Sequence, residues 1–394
     1  MDKNHTINWI VLSGDDYWNS YPHSTLHIAK RLAKKSKVLW VNSIGTRVPS
    51  LKKKNGLRLL FRKLKSYLKY FRKINNNFYV LSPVTIPFFS GKIIKTVNKK
   101  FLWFQIKLFV FLLGLKNIHF FISLASYGII ADKLKKYFCI YFYSDLYISQ
   151  SDYYSKLNNN AHDQKFRSET KALDKSLFSI SKLIYSASNK ICETLADQNK
   201  TIRYSPHSVD VEHFQKKFAK PLVLGNIKSP VIGYYGTLDY RNDWEMIDYA
   251  SEKRPGYNFV FIGEKFIQLP ELEKKENIYF INKILYEEVP AYGSCFDVAI
   301  MFWKLEEWII HSNPLKLLEY IALGKPIVSV DIPEVSKNFN DVAFIAKDKY
   351  SFLEKIDQAL KVDKYKLEKK YAEILRNHSW ENVVKKIYDD IKEV

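Results

Sequence analysis

The chain has 394 residues and 47% hydrophobic content, enough for two domains of ordinary size with real cores. Its three cysteines, Cys139, Cys192 and Cys295, lie far apart in apolar surroundings, which excludes a cysteine metal centre and fits buried thiols in a reducing compartment. The net charge of +21 is unevenly spread: residues 17–131 hold 22 Lys and Arg and no acidic residue, so the remainder is close to neutral. A field of one sign speaks of an anionic partner, a membrane or a nucleic acid, rather than of a fold.

Residues 1–16 lack the basic-then-apolar layout of a secretory signal, which implies a cytoplasmic protein. Asn8 to Leu12 reads as a first strand and Ser13 to Asp16 as the loop at its end. His23 to Lys35 has helical spacing through Leu26, Ala29, Leu32 and Ala33, and Val38 to Asn42 reads as a second strand. This β–loop–α–β opening predicts a doubly wound domain, whose ligands bind beyond the strand C-termini. It lacks G-x-G-x-x-G, so a dinucleotide cofactor is not supported. Leu57 to Lys73 places Leu57, Leu60, Phe61, Leu64, Leu68 and Phe71 at helical spacing among seven basic residues. It predicts a basic amphipathic helix lying on anionic lipid. Phe101 to Gly114 is very apolar but short of the ~20 residues that span a bilayer. It reads as a buried helix or as a second membrane-facing surface. Strands over Ile118 to Leu124, Cys139 to Tyr143 and Leu183 to Ser186 alternate with helices over Tyr127 to Tyr137 and Phe166 to Ile180.

A second alternating series follows the link from Gln215 to Ser229. Val231 to Tyr235 is a strand, and Gly236-Thr237-Leu238-Asp239 opens its loop, where Gly236 permits close backbone approach to a phosphate and Arg241 follows. Trp244 to Ser251 is a helix, Tyr257 to Ile262 and Ile278 to Ile281 are strands, and Asn282 to Leu285 is a loop next to Tyr286. Phe296 to Phe302 is a strand leading into HSNPLKLLEYIALGKPIVSV, His311 to Val330. There, Asn313 is a good N-cap and Pro314 tolerates a first helical turn. Leu317, Leu318, Ile321 and Ala322 form an apolar face, Gly324 closes the helix, and Pro326 precedes the strand Ile327 to Val330. The helix start, with its unpaired N–H groups, suits a phosphate. Glu319, on the same helix among apolar residues, is too enclosed for a purely solvated role.

The stretch from His311 to Val330 resembles the donor-binding motif of GT-B glycosyltransferases, in particular the large, mostly retaining bacterial group written E-x7-E (glycosyltransferase group 1, family 4-like). The resemblance implies an α/β fold of two doubly wound Rossmann-like domains with an inter-domain cleft and a last helix, near Trp380, that crosses back to the first domain. It places an acceptor domain over 1–208 with 379–394, and a nucleotide-sugar domain over 209–378. Glu319 falls on the Glu that binds the donor ribose, and His311 stands where the first Glu would face the donor sugar. Arg241 resembles the basic residue on the diphosphate, although the usual Lys partner is replaced by Asn242-Asp243-Trp244. By the same resemblance, Gly236, Thr237, Arg241, Lys283, Ile284, Asn313, Pro314, Leu315, Lys316 and Glu319 bind the donor. His311, Arg241 and Glu319 serve catalysis, and Asp15, Asp16 and His23 face the acceptor.

The implied function is transfer of a sugar from a UDP- or GDP-linked donor to a lipid-linked or growing glycan, as in surface polysaccharide assembly. No metal and no cofactor beyond the donor are expected. The enzyme would work at the inner membrane face, through 57–73 and 101–114. Rival readings are a sugar-nucleotide epimerase on the same fold, a non-catalytic basic protein, or a nucleic-acid binder using Tyr67, Tyr70 and Phe71.

Overall fold

The computed structural model describes residues 6–18, 21–44, 68–86, 92–144, 162–196, 202–216 and 218–394. The chain divides into two compact units. The first holds residues 1–187, 191–205 and 384–394; the second holds 188–190 and 206–383.

The first unit is built on an eight-stranded sheet. Its strands are β1 (Asn8–Leu12), β2 (Val38–Val41), β3 (Phe71–Lys73), β4 (Phe78–Leu81), β5 (Ile118–Ile122), β6 (Phe138–Tyr143), β7 (Leu183–Ser186) and β8 (Ile202–Tyr204). Their order is β3-β4-β2-β1-β5-β6-β7-β8, and only β3 runs antiparallel. The order reverses between β1 and β5, which puts a topological switch point after Leu12 and Ile122. Apolar runs such as Trp9 to Leu12 and Val38 to Val41 are wholly buried, because helices cover both faces of a parallel sheet. The helices are α1 (Ser24–Leu32), α2 (Lys92–Leu112), α3 (His162–Ile180) and α4 (Asn189–Leu195).

Several sequence expectations change here. Residues 57–67 of the expected basic helix lie outside the described residues, and its end, Phe71–Lys73, is strand β3. Phe71 stacks on Phe109 at 4.2 Å and on Tyr79 at 6.2 Å, which fixes the strand, while Arg72 and Lys73 stay exposed on the sheet edge. Basic residues on an edge strand guard it against further pairing. The apolar helix expected from Phe101 starts at Lys92, about two and a half turns earlier than the apolar run suggests. The expected helix from Tyr127 to Tyr137 is a 3₁₀ turn, Ala125–Ile130, followed by one α-turn, Ala131–Leu134. Cys139 is buried, and burial pushes its thiol up to about 12, but Cys192 and Cys295 are only half-buried.

The second unit carries a six-stranded, all-parallel sheet in the order β11-β10-β9-β12-β13-β14. The strands are β9 (Val231–Tyr235), β10 (Asn258–Ile262), β11 (Ile278–Ile281), β12 (Val298–Met301), β13 (Ile327–Val330) and β14 (Ala343–Ala346). Its switch point lies between β9 and β12. The helices that bear on function are α5 (Trp244–Lys253), α6 (Leu315–Ala322), α7 (Lys349–Ala359) and α8 (Lys364–Asn377). The last helix, α9 (Trp380–Lys392), begins in the second unit and ends in the first. Its C-terminal half is tied there: Trp9 Nε1 donates to Tyr388 Oη at 3.2 Å, and Tyr185 Oη donates to Asp390 at 2.6 Å.

Candidate active site

In the second unit the site grows from the C-terminal ends of β9 and β12. The backbone beyond β9 turns at Gly236, with φ at 144°, and its N–H donates to Ile262 O at 2.8 Å. Beyond β10 the chain turns at Gly263, with φ at 155°, so close that an added Cβ would sit 1.8 Å from Gly236 O. Only glycine fits at that crossing. The loop that follows is cross-braced: Asp239 N donates to Asn242 Oδ1 at 3.0 Å, Trp244 Nε1 donates to Asp239 O at 3.2 Å, and Asp243 N donates to Phe302 O at 2.7 Å. The last of these fastens the loop after β9 to the end of β12, across the switch point.

Helix α6 delivers two charged residues to this place. Its Gly324 closes a Schellman ending, in which Lys325 N donates to Tyr320 O and Gly324 N to Ile321 O, both at 3.0 Å. The N-terminus differs from the sequence expectation. Pro314, with ψ at 110°, is itself the N-cap, and no side chain caps the helix. Asn313 is buried one residue too early to cap.

Lys316 lies across Gly236, where an added Cβ would meet its Cε at 2.6 Å and its Nζ at 2.9 Å. Its ammonium stands 5.8 Å from the Tyr234 ring and 5.9 Å from the Trp303 ring, and Trp303 Nε1 donates to Tyr234 Oη at 3.2 Å. Ring faces favour a cation there. No carboxylate pairs with Lys316 among the described residues.

Glu319, one turn further on, is buried at 9% exposure. Beside it is Tyr235, whose hydroxyl is buried without a hydrogen-bond partner among the described residues. Burial first, and then the Glu319 charge, raise this phenol well above its ordinary range. The hydroxyl interacts with the Glu319 carboxylate without closing a well-formed hydrogen bond, which leaves the pair open to a ligand.

The remaining candidates divide. Arg241 is held by Asp239: its Nε donates to both carboxylate oxygens, at 2.8 and 3.0 Å, and its guanidinium lies 5.4 Å from the Trp308 ring. Asp239 is buried, so much of the Arg241 charge is balanced inside the protein. Thr237 and Leu315 lie in the two segments just described. Lys283 Nζ stands 4.0 Å from Glu264, and Lys283 and Ile284 follow β11. Next to them Tyr286 stacks on His213 at 4.4 Å, and His213 Nε2 lies 3.1 Å from Tyr286 O. His311 ends the turn Glu307–Ile310, with Nδ1 2.7 Å from Glu307 O. A carbonyl only accepts, so Nδ1 bears the proton and a neutral ring presents Nε2 as an acceptor.

In the first unit, the loop beyond β1 brings Asp15 and His23 together, with His23 Nε2 3.8 Å from Asp15 Oδ1. Gly14 N donates to Ser123 Oγ at 3.1 Å, which fixes this loop against the end of β5. Asp16 turns to its own backbone, accepting from Trp18 N at 3.0 Å.

Sequence reasoning missed Tyr235, the Tyr234–Trp303 rings and His213. The two tyrosines read only as strand residues, and nothing in the sequence ties any of them to Glu319 or Lys316.

Known structures share this fold. Along 98% of this chain and 98% of its own length, sucrose-phosphate synthase from Thermosynechococcus elongatus superposes with a TM-score of 0.67 at 12% identity. Anabaena HepE in complex with UDP gives 0.64 at 10% identity, over 98% of this chain and all of that one. The fold is GT-B. Residues 229–361, which carry the donor-side candidates from Gly236 to Glu319, match the family described as Glycosyl transferases group 1. A relative from Bacillus subtilis, named for teichuronic acid biosynthesis as the glycosyltransferase TuaH, is 31% identical over 111 residues. That match covers 27% of this chain and 28% of the relative.

Proposed function

We propose that this protein is a glycosyltransferase that moves a sugar from a UDP- or GDP-linked donor to a lipid-linked or growing glycan during surface polysaccharide assembly. The observation that carries the reading is the pairing on α6 of a cation without an acidic partner among the described residues, Lys316 over Gly236, with a buried carboxylate, Glu319, beside the buried Tyr235 hydroxyl. The spacing of one helical turn matches a diphosphate lying next to its ribose. The group 1 match over 229–361 and the UDP bound in HepE support the donor class.

In this reading Glu319 accepts hydrogen bonds from the ribose hydroxyls. The start of α6 and Lys316 receive the diphosphate, with Asn313, Pro314 and Leu315 shaping the approach. Gly236 and Thr237 let the phosphates come close to the backbone, and Arg241 adds charge that Asp239 holds in place. The loop with Lys283 and Ile284 borders the base, and Tyr286 on His213 offers it a stacking face. His311 accepts from a donor-sugar hydroxyl through Nε2. The acceptor oxygen bonds to the anomeric carbon as the bond from that carbon to the diphosphate oxygen breaks. The broken bond's electron pair leaves with the nucleotide, and the acceptor hydroxyl's proton passes to the departing diphosphate oxygen or to water. Lys316 and the helix start stabilise that charge, while Asp15 and His23 are assigned to the acceptor hydroxyl.

Replacing Glu319 with Ala removes charge-assisted hydrogen bonds to the ribose and lowers donor affinity about 10- to 100-fold. Calorimetric titration with nucleotide sugars checks this. Unchanged affinity would remove Glu319 from the donor site. Release of an altered nucleotide sugar in the absence of any acceptor would replace transfer with epimerisation.

A further inference from the structure

Helix α2 is apolar on both its inner and its outer side. A helix covering a sheet turns apolar side chains inward and polar ones to water. In α2 the inner side does hold Leu102, Ile106, Phe109 and Val110, all in the first unit's core. The same side also buries two amides, Asn98 and Gln105. Each grips the extended segment before residue 87 as a strand neighbour would. Asn98 accepts from Ile86 N at 2.8 Å and donates to Ile86 O at 3.0 Å, and Gln105 makes the same pair with Val84, at 2.9 Å each way.

The outer side is where polar groups belong, and it is apolar. Ile93, Val97, Phe101, Phe104, Phe111 and Leu112 all face out, with Ile93 at 80%, Phe104 at 59% and Phe111 at 79% exposure. Steps of three and four residues line most of them up in a stripe roughly 27 Å long. Val84 and Ile86, held by the amides, extend the apolar ground alongside it. A large exposed apolar patch of this kind marks an interaction surface.

Charge selects the partner. Lys100 and Lys107 are exposed on the same outer side, without a carboxylate partner among the described residues. Lys95 and Lys99, on the flank, are neutralised at 2.9 Å by Glu169 and Asp132. The surrounding stretch 17–131 carries 22 basic residues and no acid. Two copies meeting through this face would bring like charges together, whereas an anionic bilayer answers both the lysines and the phenylalanines. Among the described residues no helix is long and apolar enough to cross a membrane.

We propose that the outer face of α2 is the membrane-docking surface: the helix lies in the plane of an anionic bilayer, with its apolar stripe among the upper acyl chains and Lys100 and Lys107 at the phosphates. The inference goes beyond the sugar-transfer reading and does not depend on it.

Flotation of the full chain, without nucleotide sugar, tests it on phosphatidylcholine vesicles with and without about one-third phosphatidylglycerol. The wild type floats with the anionic vesicles. Phe104→Ser with Phe111→Ser cuts partitioning about tenfold or more at both low and high salt. Lys100→Glu with Lys107→Glu cuts it at low salt only, where charge is unscreened. Ile93→Ser with Val97→Ser, further along the stripe, repeats the first result if the phenylalanine pair fails to fold by circular dichroism. The proposal is overturned if the wild type stays at the bottom of the gradient, or if folded stripe variants float as it does. It is also overturned if the wild type sediments as a dimer that the stripe variants dissociate. Donor titration of the same samples reads the sugar-transfer hypothesis separately.

Discussion

At the scale of single residues, the most informative atom is the Tyr235 hydroxyl, buried beside Glu319 with no hydrogen-bond partner among the described residues. A buried hydroxyl that closes no well-formed hydrogen bond and stands against the Glu319 carboxylate contributes little to stability, so removing it should cost the empty protein little. We expect Tyr235→Phe to melt close to the wild-type temperature and to bind the donor about tenfold more weakly, the worth of one hydrogen bond in a dry site. Calorimetric titration and thermal melting together check this. A variant that binds as well as wild type would show that the hydroxyl never meets the ligand or the carboxylate. Glu319 was legible in the sequence because its helix is framed by Pro314 and Gly324. Tyr235 was not, because its nearness to Glu319 exists only once β9 and α6 are packed. Arg241 shows the converse: its position in the loop was readable, and its capture by Asp239 was not.

At the scale of elements, strands came through from sequence because apolar β-branched and aromatic runs have one stable place, inside a parallel sheet. β1, β7, β9, β11 and β13 fall where those runs lie. Helix boundaries shifted, and β3 was read as helix because an edge strand rich in Lys and Arg mimics an amphipathic period over a few residues. The α3–β6 packing hides a titrating group that no pattern announces. Asp174 on α3 is hydrogen-bonded by the Tyr141 hydroxyl of β6, and its second oxygen is buried without a partner among the described residues. Desolvation raises its pKa to about 6, against a partly opposing Tyr141 hydrogen bond. The folded state therefore holds this proton more tightly than the unfolded chain. The stabilisation is full below about pH 4 and is lost as pH rises through 6, a change of up to about 3 kcal/mol. Asp174→Asn removes the titration. Its melting temperature relative to wild type should rise between about pH 4 and pH 7 and level off above, and a constant difference across that range would mean that Asp174 ionises normally.

At the scale of the molecule, two doubly wound units share one chain, and α9 returns the C-terminus to the first unit. The return is held by a buried polar cluster. Asp390, only 5% exposed, accepts from Tyr185 Oη at 2.6 Å and pairs with Arg203, which also reaches Glu393 at 2.7 Å. Burial and the Asp390 charge push the Tyr185 phenol far up, so it stays a donor at all ordinary pH. Nearby, Lys386 Nζ donates to Tyr204 O at 2.7 Å, and Tyr388 joins Trp9 and Ser36. Taking away Asp390 leaves the buried Tyr185 hydroxyl without its acceptor and Arg203 with only the exposed Glu393, at a cost of about 1–3 kcal/mol. Asp390→Ala should therefore lower the melting of the first unit. A saturating nucleotide sugar should raise the melting of the second unit, because a ligand stabilises the folded form that binds it. Scanning calorimetry of the variant with donor should then show two transitions moved apart. A single transition that answers to both changes would mean that the units unfold as one, and that the crossing helix couples them more tightly than its own contacts imply.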